Sequence, residues 1–147
     1  MTRDVSRPKV GVAVLVCQGD KVLLHQRKGP IAQGVWAPAG GHLEYGETIE
    51  ECARRELLEE AGIEALDMRL GPWTNDVMSH GHYVTFFAFI TRFRGTPQTM
   101  EPDKAFDWQW WEWQNLPEPL FPTVRSLITK YGLPNSCKKM NKAAKFR

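Results

Sequence analysis

Glu56, Glu59 and Glu60 are three carboxylates crowded into one short stretch, and helix punctuation flanks them. Thr48, followed three residues later by Glu51, fits a capping box. Gly62 fits a C-terminal stop. On a helix between those signals, Ile49, Ala53, Leu57 and Ala61 form one i, i+4 row. That row is apolar and is predicted to face the core. Cys52, Glu56 and Glu60 form the neighbouring row, with Glu59 beside it. At 100° per residue the three carboxylates share an arc of about 100°. Like charges about 6 Å apart in an effective dielectric near 20 repel by about 3 kcal/mol per pair, less where solvent screens them. A row bordering an apolar stripe is screened incompletely, so the cluster calls for a cation. Oxygen ligands without Cys or a His pair favour Mg²⁺ or Mn²⁺ over Zn²⁺. The alternative is a solvated Glu-rich face on which Arg54 and Arg55 partner the acids.

Other elements must position that helix. Val10 to Cys17 is a short β-rich apolar run, Gln18-Gly19-Asp20 a turn signal, and Lys21 to Arg27 a second strand, together predicting a hairpin. A Gly/Pro-rich loop follows from Gly29 to about Gly34. The stretch Trp36 to Leu43 contains Pro38, Gly40 and Gly41 and cannot be a regular central strand throughout. Beyond the helix, Asp67 to Trp73, Val84 to Phe93 and Asp107 to Trp113 are predicted strands, the last two rich in aromatics. Thr123 to Tyr131 is a predicted final helix on Val124, Leu127 and Ile128. Strands, helix, strands, helix make a single α/β or α+β sandwich domain.

At 147 residues and 42% hydrophobic, the chain has the size and composition of one globular domain. No apolar run is long enough to predict a membrane span, and the first eight residues lack a signal-peptide layout. A cytoplasmic protein with its three cysteines reduced is therefore expected. The net charge of +2 is unevenly placed. Lys138, Lys139, Lys142, Lys145 and Arg147 crowd the end, leaving the rest net acidic. The domain is taken as residues 1–134, with 135–147 a basic tail expected to be disordered. No aromatic or groove-reading pattern accompanies the tail, so nucleic acid is not the expected partner.

Gly41, then Glu47, then Arg55-Glu56-Leu57-Leu58-Glu59-Glu60-Ala61-Gly62-Ile63, at these spacings, resembles the Nudix box with every defining position filled. From about Val10 to Phe121 the chain is similar to the MutT-like nucleoside triphosphate diphosphatases, and looks closest to the MutT-homologue-2 branch. His42-Leu43-Glu44, His82-Tyr83-Val84-Thr85 and the segment from Glu101-Pro102 to Trp113 carry that wider resemblance. The implied fold is α+β, an α/β/α sandwich with a mixed sheet between helices and a loop–helix–loop box. One departure is visible: Ala39 stands where the family usually has proline before the two glycines, and Pro38 comes one residue earlier.

The resemblance implies site roles residue by residue. Glu56 and Glu60 would be the main metal ligands, and Glu59 a further ligand or the group that orients the attacking water. Gly40 would offer its carbonyl. Glu47 and Arg55 would brace the box, while Gly41 and Gly62 allow its turns. Glu101 is a second candidate base beside Glu59. Arg27 would lie near the phosphates. His42 would touch a phosphate or the metal's water shell. Among the tryptophans, one same-face pair such as Trp108 and Trp110 could stack on a base, and Tyr83, His80 and His82 could line its pocket. The implied reaction is Mg²⁺-dependent hydrolysis of a nucleoside diphosphate bond, as (d)NTP to (d)NMP and diphosphate, with Mn²⁺ as a substitute. A nucleotide sugar or dinucleotide is the alternative substrate, and a non-catalytic nucleotide-binding module the remoter one. Related proteins are often dimers, so the resemblance allows a homodimer.

Overall fold

The computed structural model describes residues 7–136 and 139–140. Its first element, β1 (Lys9–Gln18), turns through Gly19 into β2 (Lys21–Gln26), as the turn signal predicts. The hairpin then opens. β1 meets β2 only at Cys17–Val22 and Gln18–Lys21. Along Gly11–Val14, β1 instead pairs with β4 (Ala39–His42), while β2 takes β3 (Trp36–Ala37). Pro38, which has no N–H to give to a ladder, falls between those two short strands. The broken strand predicted over Trp36 to Leu43 is thus one segment that changes partner.

β5 (Glu64–Met78) and β6 (Gly81–Arg94) form a long antiparallel pair closed by Ser79 and His80. β5 is longer than the run predicted from Asp67 to Trp73, and register shifts near Asp67 and after Leu70 interrupt it. β6 runs parallel to β1, from Lys9–Tyr83 to Val16–Ile90. β7 (Gln109–Glu112) pairs with β2 and passes into a 3-10 turn at Trp113–Asn115, so the predicted aromatic strand is shorter than its sequence. The sheet is therefore mixed, in the order β3-β2-β1-β6-β5, with β4 on β1 and β7 on β2.

Helices cover both faces. α1 (Ile49–Ala61) packs on the face formed by Val12, Val14, Val16, Leu23 and Ile90. α2 (Pro122–Tyr131) packs on the opposite face with Ala13, Leu15, Leu24, Phe87 and Phe89. Alternate residues of β1 thus enter different cores, which explains why its sequence is an unbroken apolar run. The fold is the expected α/β/α sandwich.

Of the three cysteines expected to be reduced, Cys52 is a buried free thiol, and Cys137 lies outside the described residues. Part of the basic tail forms a small antiparallel pair, β8 (Pro134–Ser136) with β9 (Lys139–Met140); the rest of that tail lies outside the described residues. Among the described residues, no helix is long and apolar enough to cross a membrane.

Candidate functional site

The chemistry-bearing helix begins and ends as its sequence dictates. The Thr48 hydroxyl accepts from the Glu51 N–H at 3.0 Å, and the Glu51 carboxylate accepts from the Thr48 N–H at 2.8 Å. Gly62 closes the helix in the left-handed region at φ 67°, donating its N–H to the Leu58 carbonyl. Cys52, Ala53, Leu57 and Ala61 are buried, so α1 is held by its apolar row and the acidic row is carried along its border.

Arg55 organises the near side of the cluster. Its guanidinium binds Glu47 through two nitrogens, at 2.6 and 3.0 Å, and Glu56 at 2.7 Å. Glu59 lies 3.5 Å away and Glu44 3.8 Å. These contacts hold the Glu47 carboxyl down at about 2, chiefly through the Arg55 hydrogen bond, and raise Arg55 further above its ordinary value. Burial pushes the adjacent Cys52 thiol up to about 12, leaving it a packing residue. The expected bracing by Glu47 and Arg55 corresponds to a direct ion pair between loop and helix.

Glu60 occupies the opposite situation. It accepts from the Gly40 N–H at 3.2 Å, yet its carboxyl is pushed well above the usual carboxylate range. Burial is the largest cause, followed by the hydrogen bond and charge of Glu56; Glu101 adds its charge. Gly40 thus meets the cluster through its N–H. Gly41 lets the Glu56 carboxylate approach closely: a Cβ there would lie 2.4 Å from one of its oxygens and would displace it. Glu101 reaches the group because its turn is tied to the end of β2, where Lys28 donates to the Lys104 carbonyl and Phe106 to the Gln26 carbonyl.

Two cavities meet here. The acidic one, about 430 Å³, is lined by Glu44, Glu56, Glu59, Glu60 and Glu101, with Arg27, Lys28 and Lys104 on its walls. The other, about 290 Å³, is bordered by β1, β4 and the start of β6 and is lined by Val12, Ile31, Pro38, Met78, Tyr83, Thr85 and Phe121. Arg27, Gly40 and Glu60 line both. Among the described residues, no three His, Cys, Asp or Glu side chains are already drawn into a metal cage. The donor set nevertheless fits a hard divalent cation: it is all oxygen, and burial followed by the neighbouring Glu56 disfavours the charged form of Glu60, a penalty that such a cation would relieve.

The remaining predicted site residues divide sharply. Arg27, beside the Phe121 ring at 5.6 Å, His42 and Tyr83 all line the less polar cavity. The His42 and Tyr83 rings are 5.7 Å apart, with His80 5.8 Å beyond Tyr83. His82 instead contacts Asn75. Trp110, expected at the substrate, lines neither of these two cavities. Its register opposite Leu23 sends the ring to the α1-side core, near Phe93 at 6.1 Å. Trp108 is the tryptophan that reaches the acidic cavity. It stacks on His25 at 3.7 Å and donates its indole N–H to the Glu60 carbonyl at 3.2 Å, satisfying a terminal carbonyl of α1. His25 carries no motif, and burial followed by Arg27 lowers its pKa to about 4, so it stays neutral near pH 7.

Residues 7–131 match the model of the NUDIX domain. An NAD-capped RNA hydrolase NudC from Pseudomonas entomophila (strain L48) is 34% identical over 130 residues, covering 85% of this chain and 43% of that protein. An oxidized purine nucleoside triphosphate hydrolase from Danio rerio is 49% identical over 55 residues, 37% of this chain and 35% of that one. The chain thus spans less than half the length of these curated relatives. The crystal structure of a MutT NUDIX hydrolase from Burkholderia pseudomallei superposes with a TM-score of 0.77 at 28% identity, covering 82% of this chain and 96% of that one. With a matched segment spanning both cavities and both helices, the chain belongs to the Nudix family and has a MutT-like fold.

Proposed function

We propose that this chain is a divalent-cation-dependent hydrolase of a nucleoside diphosphate bond, with a (d)NTP as substrate and (d)NMP and diphosphate as products. The observation that carries this reading is the joined pair of cavities: a less polar slot suited to a nucleoside opens through Arg27 and Glu60 onto a carboxylate-lined chamber. Carboxylates alone would repel a polyphosphate. Mg²⁺, or Mn²⁺ in its place, held by Glu56 and Glu60 with Glu59 and Gly40 alongside, would neutralise both partners and activate water.

The chain's own groups then have separate tasks. Arg27 receives phosphate oxygens at the passage between the cavities. Tyr83 and His42 border the nucleoside slot and restrict how deeply the base enters. Glu59 is half exposed and Glu101 comes from a different element, so each can take the proton of the attacking water while Glu56 and Glu60 stay free to hold the cation. Attack places the water oxygen on phosphorus and releases the diphosphate. Glu47 and Arg55 act one step back, by fixing Glu56.

A second reading is a nucleoside diphosphate linked to another group, such as a dinucleotide. It is favoured by the wide match to the NudC relative, which extends over most of this chain. A hydrolysis survey over (d)NTPs, modified bases, nucleotide sugars and dinucleotides, with product analysis and Mg²⁺ or Mn²⁺ present, separates the two. Diphosphate released only from nucleoside triphosphates supports the first reading, whereas preferred cleavage of dinucleotides supports the second. Turnover that persists in excess chelator overturns the cation-dependent mechanism.

A further inference from the structure

Helix α1 ends unfavourably for a helix. Glu59 and Glu60 put two carboxylates in its last turn, where the helix dipole is negative, and no basic residue of that turn offsets them. Its final carbonyls also lack partners within the helix. One loop, the segment from Gln98 to Trp108, meets both deficits. The Gln98 N–H donates to the Ala61 carbonyl at 2.9 Å, and the Trp108 indole N–H donates to the Glu60 carbonyl at 3.2 Å. The two ends of the loop therefore hold two consecutive carbonyls of the same turn.

Glu101 lies between those two anchors. Its turn is closed on itself, because its carbonyl accepts from the Lys104 N–H at 2.9 Å and the Ala105 N–H at 3.2 Å. Lys28 ties the turn to the end of β2, donating its N–H to the Lys104 carbonyl at 2.7 Å and its ammonium to the Pro102 carbonyl at 2.8 Å. Across the base of the loop, the Thr99 hydroxyl donates to Asp107 at 2.6 Å. Trp108 is itself held, since its ring stacks on the buried His25 at 3.7 Å. The loop is thus a strut between β2 and the end of α1. It carries the Glu101 carboxylate close enough to Glu60 for its charge to act there.

We propose that Trp108 is a positioning residue: its indole N–H locks the last turn of α1 to the Glu101 loop and so sets the spacing of Glu60 and Glu101 around the cation. This rests on the hydrolase reading and deepens it. Trp108 acts through the backbone of Glu60 and leaves the bond-breaking step to other groups. Without its N–H, the turn carries an unpaired carbonyl beside two carboxylates, and it shifts or frays. The cation then meets carboxylates at the wrong separation, which weakens its binding and slows turnover together. Trp108 does not line the less polar slot, so nucleotide binding is not the quantity that changes.

The test measures the Mn²⁺ affinity of the free protein by calorimetry, and kcat and KM for a nucleoside triphosphate at saturating Mg²⁺. It compares the wild type with Trp108→Phe, Glu101→Gln and the double variant. Phenylalanine keeps a ring for His25 to stack on and removes the donor. Disturbing a group one step behind a ligand is worth about tenfold or more. Trp108→Phe should therefore weaken Mn²⁺ binding about tenfold and lower kcat about tenfold, with KM near its wild-type value. A lower melting temperature with Mn²⁺ affinity and kcat per folded molecule unchanged means packing alone and overturns the proposal. A raised KM with unchanged Mn²⁺ affinity makes Trp108 a substrate contact and overturns it too. Groups that act through one spacing do not combine independently, so the double variant should lose less than the product of the single losses; the full product contradicts the coupling. If Trp108→Phe does not fold, Thr99→Val opens the same loop at its base and should weaken Mn²⁺ binding about threefold, the scale of one hydrogen bond; unchanged affinity is then the overturning result. A wild type that hydrolyses no nucleoside triphosphate overturns the hydrolase reading instead, and the Mn²⁺ affinities alone then decide the role of Trp108.

Discussion

The two cavities that meet at Glu60 are built from opposite materials. The acidic chamber depends on one capped helix whose carboxylates are held in place by Arg55 and by backbone N–H groups. The less polar slot depends on how remote elements meet: residues of β1, β4 and β6, with Ile31, Pro38 and Phe121 from connecting segments, line it. One is fixed by charge and close spacing, the other by where separate elements come together. Chemistry and selectivity are therefore expected to fail independently, and substitutions can show whether they do.

The largest effect is expected at the shared wall. Removing a metal ligand should cost at least the roughly hundredfold seen for outer-shell groups, so Glu60→Gln should reduce kcat by more than about a hundredfold while circular dichroism shows an intact fold. A fully active variant would sink the assignment of the acidic chamber. Next comes Gly41→Ala. The added methyl meets the movable Glu56 carboxylate, so folding should survive while kcat drops by about tenfold, the scale of a disturbed ligand shell. A loss of expression without any loss in specific activity would contradict that view.

On the slot side, Tyr83→Ala should raise KM by about tenfold, the scale of one lost aromatic contact, and leave kcat nearly constant. Trp110→Phe should move neither constant, because its ring belongs to the core; an altered KM would return Trp110 to the site.

The smallest effect is on stability. His25 is held neutral, with its pKa lowered to about 4 by burial and then by Arg27. Below the unfolded value near 6.5 the unfolded chain binds the proton more readily, so this group withdraws stability as pH falls from 6.5 towards 4. Glu47, lowered to about 2 by Arg55, acts in a more acidic window: its contribution is present above about 4.5 and is lost as pH falls towards 2. Denaturant titrations should show the first window flattened in His25→Phe and the second in Glu47→Gln. A variant whose profile matches the wild type removes its group from the account.

Much of this division was legible in the residues. Helix periodicity and caps located α1, and the box spacing located Glu56, Glu59, Glu60, Glu47 and Arg55. The sandwich followed from the alternation of apolar runs. The tryptophans were not resolved, because Trp108 and Trp110 share a strand face and differ only in what lies opposite them. His25 gave no signal at all: its role comes from a ring brought beside it by residues more than eighty positions away. Pairwise geometry between distant strands is the quantity that local pattern does not encode.

The parallel pairing of β1 with β6 has a consequence for how the molecule is made. The box lies inside the loop of chain that this pairing closes, between Lys9 and Tyr83. A helix of 13 residues is marginal on its own in water, whatever its caps. The carboxylate cluster thus gains its shape only after two remote strands have met, and parallel pairings of that kind are intrinsically slow to form. A nascent chain should acquire cation affinity late, together with its central sheet, and an excised box peptide should have almost none.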